Sequence, residues 1–189
     1  MNKIIIDVET SGLPNLCSDL STYKNIVQLS FSVLDSQNFE ISTGNFIIKQ
    51  KVAIPEEASR MHGITDAIAE ERGIDFFKVM DILIPNMKLC EIIIGHNVAF
   101  DLNSMQAEYV KEGKEKPEVK LKVIDTMLEA LKTGIFTHEN GEKRWPKLTE
   151  LYKYLFGEDF SDAHNSFADV RATKRCYIEM IKRKMIKIT

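Results

Sequence analysis

Lys3-Ile4-Ile5-Ile6-Asp7-Val8 decides the fold, with Glu9 and Thr10 directly behind it. An isoleucine-rich run of this length reads as a short, buried first strand. Asp7 and Glu9 are two apart, so on a strand their side chains share a face, with backbones roughly 7 Å apart. That separation suits two carboxylates converging on ions about 3.5–4 Å from each other. Taken alone, the pair also reads as two solvated residues at a strand end.

Working outward, residues 27–34 alternate apolar and polar side chains, as a half-buried strand does. Turn residues at 35–38 and a further strand over 40–48 complete an antiparallel meander. Residues 74–89 carry apolar positions at helical spacing, interrupted by Pro85. Ile92-Ile93-Ile94 is a buried strand ending at Gly95, and a helix starts near Asn97 with Phe100, Met105 and Tyr109 inward. Residues 122–125 form another short strand, and Thr126, with Glu129 three residues on, is the expected cap of the helix after it. Helices over 147–156 and 165–184 close the chain. A meander followed by alternating helices and strands predicts a mixed α/β sheet covered by helices.

With 189 residues, 44% of them hydrophobic and 28% charged, the chain is expected to form one soluble domain over 1–189. A net charge of −3 neither announces nor excludes a nucleic-acid partner, because a local basic patch can act on an acidic protein. Cys17, Cys90 and Cys176 are far apart and outside any CxxC, which argues against a disulfide framework or structural zinc. The opening apolar run is too short for a signal-peptide core, and no apolar run approaches the ~20 residues of a membrane span. A cytoplasmic setting is expected.

Three further residues stand out. Asp101 closes His96-Asn97-Val98-Ala99-Phe100-Asp101 in the first turn of a helix, where the helix dipole favours a carboxylate. His164 and Asp169 bracket His164-Asn165-Ser166-Phe167-Ala168-Asp169, the histidine in a loop and the aspartate near the start of the last helix. Singly, Asp101 reads equally as a helix N-terminal charge, and His96 as a buried structural histidine. Gathered by the fold, carboxylates beside a histidine would have the chemistry of divalent metal ions and phosphate esters.

In this order, DxET, HNxxFD and HxxxxD resemble the three motifs of the DnaQ-like (DEDDh) 3′→5′ exonuclease family. Asp7 to Pro14 is similar to its first motif, including the small-residue turn. Met61-His62-Gly63-Ile64-Thr65, Val123-Ile124-Asp125-Thr126 and Leu148 to Phe156 are further family-like stretches, so the likeness spans essentially the whole chain. One departure is Asn165-Ser166-Phe167, where relatives often carry small alanine-like residues. The resemblance implies a ribonuclease-H-like, five-stranded mixed sheet flanked by helices.

It also implies two Mg²⁺ ions, for which Mn²⁺ would substitute. Asp7 would bridge both, Glu9 and Asp169 would complete one site, and Asp101 would hold the other. All-oxygen ligation suits these hard cations. His164 would take the proton from the attacking water, imidazole being the side chain that exchanges protons near neutrality. The expected product is a 5′-mononucleotide from the 3′ end of single-stranded or frayed DNA, with RNA as the alternative substrate. A DNA polymerase or other replication or repair protein is the candidate partner. Thr10, Ser11, Gly12, Leu13, His62, Asn97 and Phe100 are the expected substrate contacts. For Leu13 and Phe100 a core role competes, and for His62 a role in holding its loop. Asp125 is left out of the ligand set because that position supports the site or caps a helix in relatives.

Residues 137–145 include Asn140-Gly141, a strong hairpin signal, followed by basic residues and the single Trp145. They read either as a flap that touches substrate or as a surface hairpin with Trp145 anchored in the core. The last helix and tail are rich in Lys and Arg, which suits nucleic acid, a partner, or a solvated face. A rival from another class is a noncatalytic module that holds a nucleic-acid end or a polymerase.

Overall fold

The computed structural model describes residues 1–16 and 18–187. Its centre is strand β1 (Lys3–Thr10). On one side lie β2 (Ile26–Leu34) and β3 (Glu40–Ile47), both antiparallel to their neighbours. On the other lie β4 (Ile92–Gly95) and β5 (Lys122–Asp125), parallel to β1. The resulting five-stranded order is β3-β2-β1-β4-β5, the expected mixed sheet. Strand β1 runs through Thr10, two residues beyond the expected end, and so takes Glu9 into the ladder opposite Gln28.

Alternation along β1 divides the molecule into two layers. Ile4, Ile6 and Val8 enter a core with Phe76, Val79, Met80, Leu83, Met105 and Tyr109. Those residues come from helices α3 (Phe76–Lys88) and α4 (Val98–Lys111). Ile5, Ile92 and Ile94 pack on the opposite face against Leu151, Val170, Tyr177 and Met180. That layer holds α5 (Thr126–Thr133), α6 (Leu148–Phe156) and α7 (Ser166–Lys182). Asp7 and Glu9 are in phase with Ile5, so they face the α7 side.

Three expectations are corrected. Strand β2 is buried at every position, not on one face only. Its polar face is covered by α7, because serine is small enough to let a helix approach and can pair its own polar atom. Ser30 Oγ lies 2.6 Å from Ser166 Oγ, and Ser166 N–H donates to Gln28 Oε1 at 3.1 Å. The cap of α5 is Asp125, whose Oδ1 accepts from Met127 N at 2.9 Å and Leu128 N at 3.3 Å. Thr126 Oγ1 donates instead to the Gly95 carbonyl at 3.1 Å. Finally, two short helices, α1 (Glu56–His62) and α2 (Asp66–Arg72), occupy a stretch with no expected element. Their signal was present: Pro55 and two glutamates open α1, and Gly63 closes it at φ 75°.

Pro85 does not break α3, which runs to Lys88. Cys90 and Cys176 are buried free thiols, and Cys17 lies outside the described residues. Among the described residues, no helix is long and apolar enough to cross a membrane.

Candidate metal centre and substrate cleft

Three elements deliver four carboxylates to one end of β1. The strand supplies Asp7 and Glu9 from the α7 side of the sheet. Helix α7 supplies Asp169 in its first turn, where Asn165 caps the helix by accepting from Phe167 N and Ala168 N at 3.1 and 3.4 Å. Helix α4 supplies Asp101 from the opposite layer. Its Oδ1 accepts the backbone N–H of Val8 at 3.1 Å, which draws Asp101 to the strand between the two acidic residues.

The electrostatics are those of a site built for positive charge. Burial, and then the charges of Asp101, Asp169 and Glu9, push the Asp7 carboxyl well above its ordinary range. Asp101 is raised by burial and by Asp125 and Glu9, against the opposing pull of the Val8 hydrogen bond. Burial and the Asp169 charge raise Glu9 to about 8, and burial raises Asp169 to about 6. Asp101 Oδ2 and Asp169 Oδ1 are buried with no hydrogen-bond partner. Buried carboxylate oxygens without partners are costly unless a cation supplies the missing contact. Ligand atoms of Glu9, His164 and Asp169 lie within 4.8 Å of one another. The donor set is three Asp, one Glu and an adjacent imidazole, which fits hard divalent cations.

His164 is exposed, in the left-handed region at φ 70°, and its N–H donates to Asp169 Oδ2 at 3.2 Å. The loop is thereby tied to the acid it would serve, with the imidazole open to solvent.

An open cleft of about 420 Å³ begins at Glu9 and runs between the β1 turn and α1. Thr10, Ser11, Gly12, Leu13, His62 and Phe100 line it, as do Ala58 and Met61 of α1. Leu13 is 77% exposed, so it stands free at the mouth and has no core role. Phe100 is half-buried, with its ring 5.9 Å from that of Tyr23. His62 holds its own loop and also lines the cleft. Its Nδ1 accepts from Ile64 N at 3.1 Å, which leaves Nε2 with the proton, buried and unpartnered at the cleft. The Ser11 N–H is already given to the Asn25 carbonyl at 2.8 Å.

Asn97 is not among the cleft residues. It sits at φ 67° ahead of α4 with its N–H on Asp125 Oδ1 at 3.0 Å. Val98 N also donates to Asp125, at 3.1 Å, so this carboxylate serves N–H groups at two helix starts and is not free for an ion. Gly95 permits the tight turn there, since a Cβ would fall 2.7 Å from Val98 Cβ. His96 is a strap: Nε2–H donates to the Pro146 carbonyl at 2.9 Å and Nδ1 lies 3.0 Å from Thr126 Oγ1. Trp145 is 63% exposed, not anchored in the core. Much of the basic charge on α7 and its C-cap is paired, Lys174 with Glu40, Arg175 with Glu158 and Arg183 with Glu179. Of the α1 residues that line the cleft, His62 was an expected contact, and Ala58 and Met61 were not.

A five-stranded mixed sheet that brings four carboxylates and a histidine loop to one strand end defines a class of nuclease folds. The RNase_T exonuclease family model matches residues 4–177, and the chain belongs to this DnaQ-like family. A PolC-type DNA polymerase III of Pediococcus pentosaceus is 30% identical over 124 residues, 66% of this chain and 8% of that protein. Among solved structures, E. coli Exonuclease I in complex with a dT13 oligonucleotide superposes with a TM-score of 0.73 at 19% identity. That match covers 96% of this chain and 41% of the other. The zinc-ion-bound form of the E. coli ExoI–ssDNA complex gives 0.75 at 21% identity, over 97% and 41%. The chain therefore spans well under half the length of each of these proteins.

Proposed function

We propose that the chain is a 3′→5′ exonuclease that releases 5′-mononucleotides from single-stranded or frayed DNA. The observation that carries this is the convergence of Asp7, Glu9, Asp101 and Asp169 with two of their buried oxygens unpartnered. These four would hold a pair of Mg²⁺ ions, with Mn²⁺ able to replace them. When bound, such a pair supplies Lewis acidity at phosphorus and neutralises charge on the attacking and leaving oxygens.

The protein's own groups account for the remainder. His164, tied to Asp169 but open to solvent, takes a proton from the attacking water at an imidazole nitrogen. Water oxygen bonds to phosphorus as the bond to the 3′ oxygen of the preceding nucleotide breaks, and the departing oxygen takes a proton from solvent to become the new 3′ hydroxyl. Leu13 at the mouth meets the terminal base, and the His62 Nε2–H donates to a substrate oxygen in the cleft. The PolC-type relative and the oligothymidylate carried by Exonuclease I favour DNA, and the former suggests a polymerase as partner.

The test uses 5′-labelled single-stranded DNA and RNA of matched sequence, resolved on a denaturing gel with Mg²⁺. A ladder that shortens from the 3′ end is expected, faster on DNA. One-step release of the 5′ label would overturn the polarity, and a faster RNA ladder would overturn the substrate.

A further inference from the structure

The exposed indole of Trp145 sits in a held, not a loose, segment. Its hairpin is closed by the Thr137–Lys143 bridge and by His138 N–H to the Glu142 carbonyl at 2.8 Å. Arg144, on one side of Trp145, chelates Glu150 through two bonds of 2.9 and 2.8 Å and also reaches the Thr137 carbonyl. That guanidinium, with the Lys147 N–H, holds the Glu150 carboxyl down at about 2. Pro146, on the other side, is fixed by His96, five residues before Asp101. Both backbone neighbours are thus pinned while the largest side chain of the chain faces solvent. Rigid presentation of an indole is how a protein offers a flat surface to a partner with a flat face.

The groove around it is open and carries Leu131, Lys143 and Lys147 beside Trp145. Glu150 is the acid among its lining residues, and Arg144 neutralises it. Lys143 Nζ leans on the Lys132 carbonyl at 3.1 Å, which positions its charge without cancelling it. An aromatic platform flanked by cations matches a single strand, which offers a base for stacking and phosphates on either side. Among the lining side chains Lys143, Arg144 and Lys147 face the single acid Glu150, while Glu139 and Glu142 of the same hairpin are not among them.

We propose that the Trp145 groove is a second nucleic-acid contact, which grips the strand outside the acidic site by stacking a base on the indole and pairing phosphates with Lys143 and Lys147. It rests on the exonuclease reading and adds a reason for preferring longer substrates over very short ones.

Trp145 is the single tryptophan, so fluorescence excited at the red edge of the indole band, where the tyrosines do not absorb, reports this groove. The probe is a nuclease-resistant phosphorothioate decamer of thymidylate, titrated into the Mg²⁺-loaded protein. Saturable quenching is expected. Trp145→Leu should weaken decamer binding by about five- to a hundredfold, and Trp145→Phe should recover much of the loss. Lys143→Gln with Lys147→Gln should lower the slope of log affinity against log salt by about one to two. Decamer binding with no quenching, and no response to these substitutions, would overturn the groove while leaving the exonuclease reading to its own gel. Quenching retained by a protein that hydrolyses nothing would support the groove and sink the exonuclease reading.

Discussion

The backbone N–H of Val8 donates to Oδ1 of Asp101 at 3.1 Å, and the other oxygen of that carboxylate is buried without a partner. Val8 stands between Asp7 and Glu9, so one hydrogen bond registers helix α4 against the acidic end of β1. It also divides the labour within Asp101, one oxygen holding the fold and the other left for a cation.

Asp101→Asn should separate those roles. The amide oxygen can keep the Val8 bond while a buried group that is costly to ionise beside Asp7 and Glu9 is replaced by a neutral one. Thermal melts in EDTA near pH 8 should show a higher Tm than the parent, with a smaller gain on adding Mg²⁺. Asp101→Ala should instead lose about 1–3 kcal/mol, since the Val8 N–H is left unsatisfied. Equal destabilisation by both substitutions would remove the charge argument.

The raised carboxyls set the pH response of the metal-free protein. Glu9, at about 8, and Asp169, at about 6, hold protons in the folded state that they lose in the unfolded chain. Their contribution is fully present below the ordinary carboxylate range and is lost as pH rises through these values. In chelator, Tm should fall from about pH 4 to about pH 8, most steeply below about pH 6 where both groups contribute, and the stabilisation by Mg²⁺ should grow over the same interval as protons cease to compete. A Mg²⁺ increment that shrinks with rising pH would contradict the assignment.

His164→Ala should lower turnover by about 10²–10⁴ while leaving Mg²⁺-dependent thermal stabilisation in place. Its ring makes no contact that the fold depends on, and its N–H bond to Asp169 is a backbone bond that alanine keeps. Undiminished turnover, measured alongside the melt, would take His164 out of the reaction.

Asp125→Ala is a test of architecture. Four N–H groups, from Asn97, Val98, Met127 and Leu128, converge on this carboxylate. Their loss should cost about 2–4 kcal/mol in urea unfolding. A variant with parental stability but no metal response would make Asp125 a ligand after all.

The sheet and its acidic end were legible in the sequence because both rest on local signals: isoleucine runs mark β1 and β4, and the acids stand at fixed offsets from them. What escaped depends on contacts distant in sequence. The serines of β2 alternate as a solvent face would, and only α7, more than a hundred residues away, turns them inward. Thr126 has the local pattern of a cap, yet Asp125 one residue earlier is also within reach of Asn97 and Val98, and the hydroxyl of Thr126 is drawn to Gly95. The exposure of Trp145 follows from Arg144 and Pro146 being tied to Glu150 and His96, partners that no hairpin motif announces.

The most direct test of the central claim is calorimetric titration of Mn²⁺ into the parent and Asp7→Asn, with mononucleotide release followed in the same samples. The account predicts two ions bound by the parent, binding weakened by the substitution, and hydrolysis abolished by either the substitution or EDTA. Hydrolysis that persists in EDTA, or an Asp7→Asn protein that binds and cleaves like the parent, would contradict it.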